Sequence, residues 1–333
     1  MSQKIFKALV TKEGKDNTFV REITERNLGD LPPGDVLVRV KYSSLNFKDV
    51  LSATGNRGVT RKYPHTPGID AAGVVEESLS SSFSAGDEVI VTSYDLGMNT
   101  SGGFGQYIRV PADWVVKKPA NLSLRESMIF GTAGFTAALS VYKLLSSGVT
   151  PGEGPVLVSG ATGGVGSIAV SILAKQHYDV AAVNGIVDEK EYLLQIGAKN
   201  VVSIDEATDT SGRPLLKGLW AGAIDTLGGP ILATTLKSML YGATVTCCGN
   251  AGSPDLPTNV YPFILRGVTL IGIDSQNCPM PTRLKVWQKI AGDWKLDNLE
   301  QLTTEIPLEG LNDRIQMVLD RTHRGRTIVR LPD

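Results

Sequence analysis

One segment of the sequence, residues 156–170, constrains the fold more than any other part of the chain. It runs Val-Leu-Val-Ser-Gly-Ala-Thr-Gly-Gly-Val-Gly-Ser-Ile-Ala-Val, which is typical of an apolar strand, a turn of small residues and a helix. Such a turn brings backbone N–H groups close to a pyrophosphate, and the helix start adds a positive dipole end. Gly166 allows the helix to pack closely on the strand. We therefore expect a dinucleotide-binding turn. Because Ala161 replaces the first glycine of the usual pattern, a purely structural turn is the alternative.

Strands and helices alternate through the region that contains this turn. From about residue 123 the pattern predicts strands at 155–160, 180–184, 201–204, 223–226, 244–248 and 270–274, and helices at 166–175, 189–196 and 231–240. Alternation at this pitch predicts right-handed βαβ units and a doubly wound parallel sheet with helices on both faces. The fold class of this region is therefore α/β, of the Rossmann type.

The first third of the chain has a different pattern. Short β-branched or aromatic runs, separated by turn residues, predict strands at 6–10, 36–42, 71–76, 88–92 and 107–110. Such a series favours an antiparallel barrel or sandwich. Near the other end of the chain, apolar residues from Leu311 to Leu319 recur at helical spacing, and residues 325–331 are typical of a final strand. We expect that strand to return to the first domain.

Composition excludes several classes of protein. The chain has 333 residues, of which 42% are hydrophobic and 20% charged. This is the composition of a globular protein of about two domains rather than of a disordered chain. The formal net charge is -1, and no basic run is longer than a pair such as Lys117-Lys118. Nucleic acid and anionic membrane surfaces are therefore not expected partners, and a small-molecule substrate is expected instead.

Two further segments bear on location. Lys4 and Lys7 lie where a signal peptide would need its apolar region, so no export signal is visible and a cytoplasmic protein is expected. The longest uncharged stretch, residues 154–174, is about long enough to span a bilayer. Its first half is rich in glycine, which favours a strand, a turn and a helix start over a membrane span.

The histidines and cysteines do not form the pattern of a zinc site. A structural zinc takes about four Cys or His ligands and a catalytic zinc about three, usually closely spaced. Here His65, His177 and His323 are scattered. Cys247 and Cys248 are adjacent, so their side chains would point to opposite faces of a strand. We expect no zinc.

The choice between NAD and NADP depends on the strand that follows the turn. An NAD site usually has Asp or Glu at the end of that strand, and a 2′-phosphate would be repelled by the carboxylate. This chain has Asn184 there, so the barrier to NADP is absent. The usual arginine partner of the phosphate is absent as well, because Ile186 and Val187 follow. NADP(H) is favoured, and NAD stays an alternative.

Further segments match a known family. They are Ser-Leu-Asn-Phe-Lys-Asp at 44–49, Pro-Gly-Ile-Asp-Ala-Ala-Gly at 67–73, Gly-Thr-Ala-Gly-Phe-Thr-Ala at 131–137, Tyr-Pro-Phe-Ile-Leu-Arg-Gly at 261–267, Gly-Ile-Asp-Ser at 272–275 and Gly-Arg-Thr at 325–327. Together with the glycine-rich turn, they make the chain similar to the medium-chain dehydrogenase/reductase superfamily. Within it, the chain resembles the zinc-free YhdH/YhfP branch of quinone oxidoreductase-like proteins, which includes acryloyl-CoA reductases.

The resemblance implies a two-domain enzyme. A GroES-like β-barrel catalytic domain would comprise residues 1–121 with 289–333, and a Rossmann domain residues 122–288. Zinc-dependent relatives have Gly-His-Glu where this chain has Gly68-Ile69-Asp70, which agrees with the expected absence of zinc. Similar enzymes are homodimers that join through the edge strand of the Rossmann sheet, and the apolar segment 268–273 fits that role.

The resemblance also assigns cofactor residues. We expect around the dinucleotide Phe47, Thr162, Gly163, Gly164, Val165, Asn184, Gly185, Asn250, Ser275 and Arg326. Arg326 is the expected partner of a phosphate or pyrophosphate. Similar reductases tend to carry an arginine at the position of Ile186, so this departure bears on the cofactor preference.

Three residues are candidates for the acceptor pocket and catalysis. Asn46 could donate a hydrogen bond to the acceptor carbonyl, or could simply hold a turn. Asp70 could hold Lys48 or a water, or could be structural. Tyr94 has a phenolic proton to give, but a role in the pocket wall is the alternative. The protein must polarise the acceptor and protonate the neighbouring carbon without a metal.

The substrate remains open between two classes. The branch suggests an enoyl thioester such as acryloyl-CoA, whose phosphates would bind basic residues; the candidates are Arg57, Arg61, Lys62 and Arg266. A quinone needs no such anchor. An NADP(H)-binding sensor with little turnover and an alcohol dehydrogenase-like enzyme are further alternatives, because a fold alone does not define a function.

Overall fold

The chain forms two compact units. The computed structural model describes residues 4–185 and 189–332. One unit contains the chain up to Thr132, the segment Gln276–Ala291 and the chain from Thr303 onward, and the other contains Ala133–Ser275 and Gly292–Leu302. These bounds describe packing rather than independent folding. The expected domains, residues 1–121 with 289–333 and residues 122–288, therefore stay a prediction.

The first unit is largely antiparallel β-structure. Its strands are β1 (Ile5–Glu13), β2 (Phe19–Asn27), β3 (Val36–Ser44), β4 (Asp70–Ser78), β5 (Glu88–Thr92), β6 (Tyr107–Val110), β7 (Val115–Lys117), β14 (Thr303–Pro307) and β15 (Arg326–Arg330). β1 and β2 form a hairpin, and the main sheet has the order β14-β15-β3-β4-β5-β7. β6 and β15 both pair with β3, β6 at residues 36–39 and β15 at residues 42–44. The final strand thus joins the first domain, as predicted.

The core of this unit lies where alternate strand residues point to one face. Val36, Val38 and Val40 of β3 are fully buried and belong to one apolar cluster with Ile108 of β6 and Val329 of β15. This is the period of two that strand geometry imposes. Three helices belong to the unit: α1 (Phe47–Ala53), α7 (Met280–Ala291) and α8 (Leu311–Leu319).

The longest helix, α2 (Leu124–Ser146), is interrupted by Gly131, whose φ of 50° lies in the left-handed region. Among residues 4–185 and 189–332 it is the one helix that is long and apolar enough to cross a membrane, judged by length and composition alone. Of its most apolar window, 78% is buried, which is also usual for a core helix. Residues 154–174, by contrast, form a strand, a turn and a helix, as predicted.

The second unit is a parallel sheet with helices. Its strands are β8 (Val156–Val158), β9 (Val180–Asn184), β10 (Asn200–Ser203), β11 (Trp220–Asp225), β12 (Met239–Cys247) and β13 (Thr269–Gly272). Their order is β10-β9-β8-β11-β12-β13, and every pairing is parallel. The helices are α3 (Gly164–Lys175), α4 (Lys190–Gln195), α5 (Gly229–Lys237) and α6 (Tyr261–Arg266). This order is that of a Rossmann fold, so the predicted fold class is confirmed.

Candidate active site

The glycine-rich turn lies between β8 and α3 and has the geometry of a dinucleotide site. Gly160 has φ of +60°, and a Cβ there would lie 2.2 Å from Oγ1 of Thr226. A Cβ on Gly166 would lie 2.2 Å from the carbonyl oxygen of Gly160. Only glycine therefore fits either position. The turn can receive a pyrophosphate on backbone N–H groups, which is how dinucleotides bind in this fold.

The other expected cofactor residues of the second unit lie at the carboxyl ends of strands. Thr162, Gly163, Gly164 and Val165 are half-buried in the turn and at the helix start. Asn184 ends β9, which pairs with β8, and Gly185 follows it exposed. Ligands of open α/β sheets bind at this edge.

Two more expected cofactor residues lie after later strands of the same unit. Asn250 is exposed beyond the end of β12. Oγ of Ser275 accepts a hydrogen bond of 2.7 Å from Oγ1 of Thr136. Ile186, on which the question of the 2′-phosphate depends, lies outside the described residues.

In the first unit, Asp70 is the hub of a buried polar cluster. Its side chain is fully buried at the start of β4. Its carboxylate accepts hydrogen bonds from Oγ of Ser44 at 2.5 Å, Nδ2 of Asn46 at 2.8 Å, and both the amide and Oγ1 of Thr132, at 2.8 and 2.5 Å. Gly131 permits this approach, because a Cβ there would lie 2.4 Å from Oδ2 of Asp70. The Lys48 ammonium bonds to Oε1 of Gln276.

Arg326 belongs to this cluster, and its setting differs from the one predicted. The side chain is only 2% exposed. Its guanidinium donates to four oxygens: the carbonyls of Ile129 and Leu45, Oδ1 of Asn46 and Oγ of Ser44. Nη2 lies 3.9 Å from Oδ2 of Asp70. These contacts hold the guanidinium inside the first unit as the charge partner of Asp70. The expected role of Arg326 as a phosphate partner stays a prediction.

Asn46 is fixed at both ends of its amide. It is the N-cap of α1, and its Oδ1 accepts from Arg326 while its Nδ2 donates to Asp70 and, at 3.2 Å, to the carbonyl of Ser44. Its two N–H bonds therefore both point at protein acceptors. To donate to a substrate carbonyl, as predicted, the amide would have to release one of them. Phe47, the first residue of α1, is 53% exposed.

Asp49 is a second buried carboxylate next to the cluster. It accepts hydrogen bonds from the amides of Asn46 at 2.8 Å, Gly68 at 3.1 Å and Ile69 at 2.8 Å. Burial, and next the charge of Asp70, raises the pKa of Asp49 to about 7, although the amide donors act in the opposite direction. The carboxylates of Asp49 and Asp70 therefore both lie near the buried guanidinium of Arg326.

Tyr94 is held in an aromatic and cationic setting. Ser93 and Tyr94 both have positive φ, 65° and 52°, which is uncommon for residues other than glycine. The Tyr94 ring stacks on Trp114, with centroids 5.6 Å apart and planes 7° apart, and the guanidinium carbon of Arg283 lies 4.5 Å from its centroid. Its amide donates to the carbonyl of Gln276. The strained backbone thus fixes the direction of the ring.

A hydroxyl pair connects Tyr94 to the Asp70 cluster. Oγ of Ser93 lies 2.8 Å from Oγ1 of Thr132, which itself donates to Asp70. The structure therefore brings together the three expected acceptor residues, Asn46 and Asp70 by direct contact and Tyr94 through Ser93 and Thr132. The roles of the three in catalysis stay predictions.

Two of the four basic residues considered for thioester phosphates are already engaged. Arg57 pairs with Glu13 and also donates to the carbonyl of Arg61. Arg266 donates to three backbone carbonyls, those of Leu216, Lys237 and Met239, so its setting is that of a structural residue. Arg61 and Lys62 are exposed. They are the pair that a phosphate could reach.

No metal-binding cluster is found in the described part of the chain, where no three His, Cys, Asp or Glu side chains are grouped to hold an ion. The expected independence from zinc stays a prediction.

Sequence reasoning missed several residues of the cluster. Ser44, Thr132 and Ser93 carry hydroxyl groups in segments that gave no catalytic signal. Asp49 had a signal, because an acid three residues after an N-cap is a common way to satisfy the first amides of a helix. Arg283 could not be found, since α7 was not predicted.

Relatives of known name match nearly the whole chain. The acrylyl-CoA reductase AcuI of Ruegeria pomeroyi is 45% identical over 98% of this chain and 99% of that protein. The crystal structure of the YhdH oxidoreductase of Salmonella enterica in complex with NADP has a TM-score of 0.95 at 44% identity, covering 98% of this chain and 100% of that one. That of YhfP of Bacillus subtilis with NAD bound has a TM-score of 0.95 at 45% identity, with the same coverage. YhfP of Bacillus subtilis is named a putative quinone oxidoreductase.

Two family models match as well, the alcohol dehydrogenase GroES-like domain at residues 32–120 and the zinc-binding dehydrogenase at residues 164–291. With the barrel-like and Rossmann units, they define the protein as an oxidoreductase of the medium-chain dehydrogenase/reductase superfamily. The chain shares 44–45% identity with YhfP, AcuI and YhdH over almost its full length, which assigns it to one branch of the superfamily. The chain belongs to the YhdH/YhfP/AcuI branch of that superfamily, as the sequence motifs predicted.

Proposed function

We propose that the protein is a zinc-independent, NADPH-dependent reductase that transfers hydride to the activated double bond of an enoyl thioester, with acryloyl-CoA as the expected substrate. The observation that carries the proposal is the turn from Gly160 to Gly166, where only glycine fits at the first and last positions, as in the pyrophosphate-binding turns of this fold. The name of AcuI, at 45% identity over 98% of the chain, supports the thioester.

NADPH would be held mainly by the second unit. We expect the backbone amides of Thr162, Gly164 and Val165 to bind the pyrophosphate, since the amide of Gly163 already donates to the carbonyl of Gly160 at 3.0 Å. Asn184 would hold the ribose next to them. Phe47, Gly185, Asn250 and Ser275 complete the set that we propose around the dinucleotide. The neutral side chain of Asn184 does not repel a 2′-phosphate, which favours NADP(H), while NAD remains the alternative. A bound nicotinamide supplies the hydride.

The first unit would supply the groups that orient and protonate the acceptor. Asp70 and Arg326 hold the Asn46 amide in one orientation, so its direction is set before substrate binds. Tyr94 carries the phenolic proton that we propose to pass to the carbon next to the one that accepts hydride. Arg283 lies against the Tyr94 ring and keeps the phenol in place.

A quinone is the second candidate acceptor, and one observation favours it. Tyr94 and Trp114 form a parallel aromatic stack, with ring planes 7° apart, which is a suitable wall for a flat aromatic acceptor. The name of YhfP points the same way. An NADP(H)-binding sensor with little turnover is the remaining alternative.

The test follows the loss of reduced-nicotinamide absorbance in chelator-treated enzyme. NADPH and NADH are each paired with acryloyl-CoA and with a small benzoquinone. Turnover that is faster with NADPH and acryloyl-CoA than with any other pair supports the proposal. Turnover with benzoquinone alone would assign quinone reduction, and tight NADPH binding without turnover would assign the sensor. Tyr94→Phe should lower kcat by ~100-fold while the Kd for NADPH is unchanged, if the phenol gives the proton.

A pair of exposed basic residues allows a sharper test of the thioester. If Arg61 and Lys62 bind the CoA phosphates, acryloyl-CoA should have a lower KM than acryloyl-pantetheine, which lacks the nucleotide. The double variant Arg61→Ser/Lys62→Ser should remove this difference by raising the KM for acryloyl-CoA ~10-fold. The KM for acryloyl-pantetheine and for benzoquinone should stay constant, and these substrates serve as the matched controls.

We also propose that the protein acts as a homodimer in the cytoplasm, without nucleic acid or membrane partners. The near-neutral charge of -1 supports the absence of such partners. The edge strand β13 supports dimer formation, because its outer side is unpaired within the described residues.

A further inference from the structure

Asp225 is a buried carboxylate that the proposed reaction does not use. It ends β11, is 1% exposed and lies at the carboxyl edge of the parallel sheet. Its Oδ1 accepts a hydrogen bond of 2.7 Å from Oγ of Ser159, and its Oδ2 accepts one of 2.7 Å from the amide of Gly228. Burial raises the pKa of Asp225, and the donors around it lower it. A buried carboxylate costs free energy unless its oxygens are satisfied, so this placement calls for an explanation.

The carboxylate joins the ends of three neighbouring strands. Ser159 directly follows β8, Asp225 is the last residue of β11, and Gly228 comes three residues later. Sγ of Cys247, at the end of β12, lies 3.9 Å from Oδ2 of Asp225. Burial raises the pKa of Cys247, so its thiol stays protonated and can donate. The donors to Asp225 in the described part of the chain are a hydroxyl, amides and a thiol, none of them charged. The group therefore holds strand ends together rather than balancing a cation.

The connection reaches the dinucleotide turn through Ser159 and Thr226. Oγ of Ser159 donates to Asp225 and accepts from the amide of Thr226 at 2.9 Å. Oγ1 of Thr226 donates to the carbonyl of Ser159, also at 2.9 Å. That same Oγ1 occupies the space where a Cβ of Gly160 would be. Asp225 and Thr226 thus position Ser159 and Gly160, the two residues at the entry of the turn.

We infer that Asp225 is a positioning residue for cofactor binding, which sets the entry of the Gly160–Gly166 turn through Ser159 and Thr226 and so prepares the backbone for the pyrophosphate. The inference rests on the proposed use of this turn by NADPH. It differs from a role in stability alone, because the group would act on the affinity for dinucleotide and not on the rate of hydride transfer once the cofactor is bound.

The test measures the Kd for NADPH from nicotinamide fluorescence and kcat at saturating NADPH. Ser159→Ala and Asp225→Asn should each raise the Kd ~10-fold, which corresponds to one lost hydrogen bond, while kcat stays within ~2-fold. The double variant should raise the Kd no more than either single change, because the two residues act through one contact. Thr226→Val should weaken binding, and Thr226→Ser, which keeps the hydroxyl, should restore it.

Ser171→Ala is the matched control. Its hydroxyl is buried in the same unit and donates to the carbonyl of Ile196, away from the turn. The Kd of this variant should stay within ~2-fold of the wild type. The inference is overturned if Ser159→Ala lowers the unfolding midpoint as Ser171→Ala does but leaves the Kd unchanged, or if the double variant shows the product of the two single effects. If Asp225→Asn does not fold, Ser159→Ala and the two Thr226 variants decide. A wild-type protein that binds neither NADPH nor NADH would contradict the proposed function instead.

Discussion

At the scale of single residues, the buried pair formed by the Arg326 guanidinium and the Asp70 carboxylate contributes to the stability of the first unit. Asp70 accepts four hydrogen bonds and lies 3.9 Å from the guanidinium of Arg326. Asp70→Asn would leave the guanidinium of Arg326 without the carboxylate of Asp70. The NH2 group of the new amide would also face groups that donate hydrogen bonds to Asp70. We expect a loss of ~3 kcal/mol in the free energy of unfolding, measured by urea denaturation at neutral pH.

The control for Asp70→Asn is Glu22→Gln. Glu22 forms an ion pair with Lys12 in which both side chains are about half exposed. Exposed pairs of this kind contribute less than ~1 kcal/mol, so the control should unfold near the wild-type urea concentration. Equal effects of the two substitutions would show that the buried cluster does not depend on the charge of Asp70.

His323 makes the stability depend on pH in a direction that can be derived. Burial, and then the charges of Arg326 and Arg314, lower the pKa of His323 to about 4, and its Nε2 lies 3.0 Å from Oγ1 of Thr327. In the unfolded chain the group titrates near its usual pKa of about 6.5. Between these values the unfolded state binds more protons than the folded state, so stability is complete above pH ~6.5 and falls as the pH drops toward 4.

His323→Gln should therefore lose less stability than the wild type when the pH is lowered from 7 to 5. We expect the difference to be ~2 kcal/mol, measured as the shift in urea unfolding between the two pH values. His177→Asn, at an exposed histidine, is the control substitution measured at the same two pH values. An identical pH dependence in His323→Gln and the wild type would contradict the prediction.

The residues of the acceptor cluster show what sequence reasoning can and cannot reach. Asn46, Asp70 and Tyr94 were predicted because they resemble positions of a known family. Their contacts could not be predicted, since the partners Ser44, Thr132 and Arg326 lie far apart in the chain and meet only after β15 joins β3. The burial of Arg326 could not be predicted for the same reason, because the motif Gly-Arg-Thr contains no sign that its arginine is buried.

At the scale of elements, the turn between β8 and α3 depends on the space around Gly160. Gly160→Ala would add a Cβ 2.2 Å from Oγ1 of Thr226, at a φ of +60° that alanine disfavours. Gly242 has a similar φ of +72° with no atom within 4 Å of a Cβ, so Gly242→Ala carries the backbone strain without the clash. We expect Gly160→Ala to raise the Kd for NADPH by more than ~10-fold.

Fluorescence titration with NADPH would check both glycine variants. Gly242→Ala should lose ~1 kcal/mol of stability from strain and keep its Kd for NADPH. If Gly160→Ala binds as tightly as Gly242→Ala, the turn tolerates a side chain and its close packing does not serve the cofactor.

Elements with strong periodicity were predicted well, and the others were missed for physical reasons. β5, β6 and β9 have the predicted bounds, and the parallel sheet was recognised from its alternation with helices. β2 was missed because its residues are mostly polar and none of them is buried, half-buried and exposed positions alternating along most of the strand. The helix predicted for 231–240 ends at Lys237, and Met239 and Leu240 belong to β12, since apolar residues alone do not separate a helix end from a strand.

α2 and α7 show how tertiary structure overrides local preference. No helix was predicted around Gly131, and glycine and β-branched residues do disfavour helices. Close packing is what Gly131 permits beside Asp70, yet the helix continues on both sides of it. α7 begins with Met280-Pro281, and a proline in the first helical turn was a signal for a helix start that was not used.

At the scale of the whole molecule, an open sheet edge and an apolar surface beside it predict self-association. β13 pairs only with β12 among the strands that the structure describes. On α6, Ile264 is 67% and Leu265 56% exposed, which is unusual for residues of this size. Two copies that meet at β13 would pair the open edge of the sheet and would cover the side chains of Ile264 and Leu265.

Ile264→Lys/Leu265→Lys should therefore dissociate the proposed dimer. Two lysines would have to be buried without partners at a symmetric contact, so we expect the dimer Kd from sedimentation equilibrium to rise by ~100-fold or more. Leu79→Lys is the control, since Leu79 is 88% exposed in the first unit and its change should not affect the mass in solution. A wild-type protein that sediments as a monomer would remove the basis of the proposal. A double lysine variant that stays dimeric would place the contact on another surface, because a β13 interface could not absorb two buried charges.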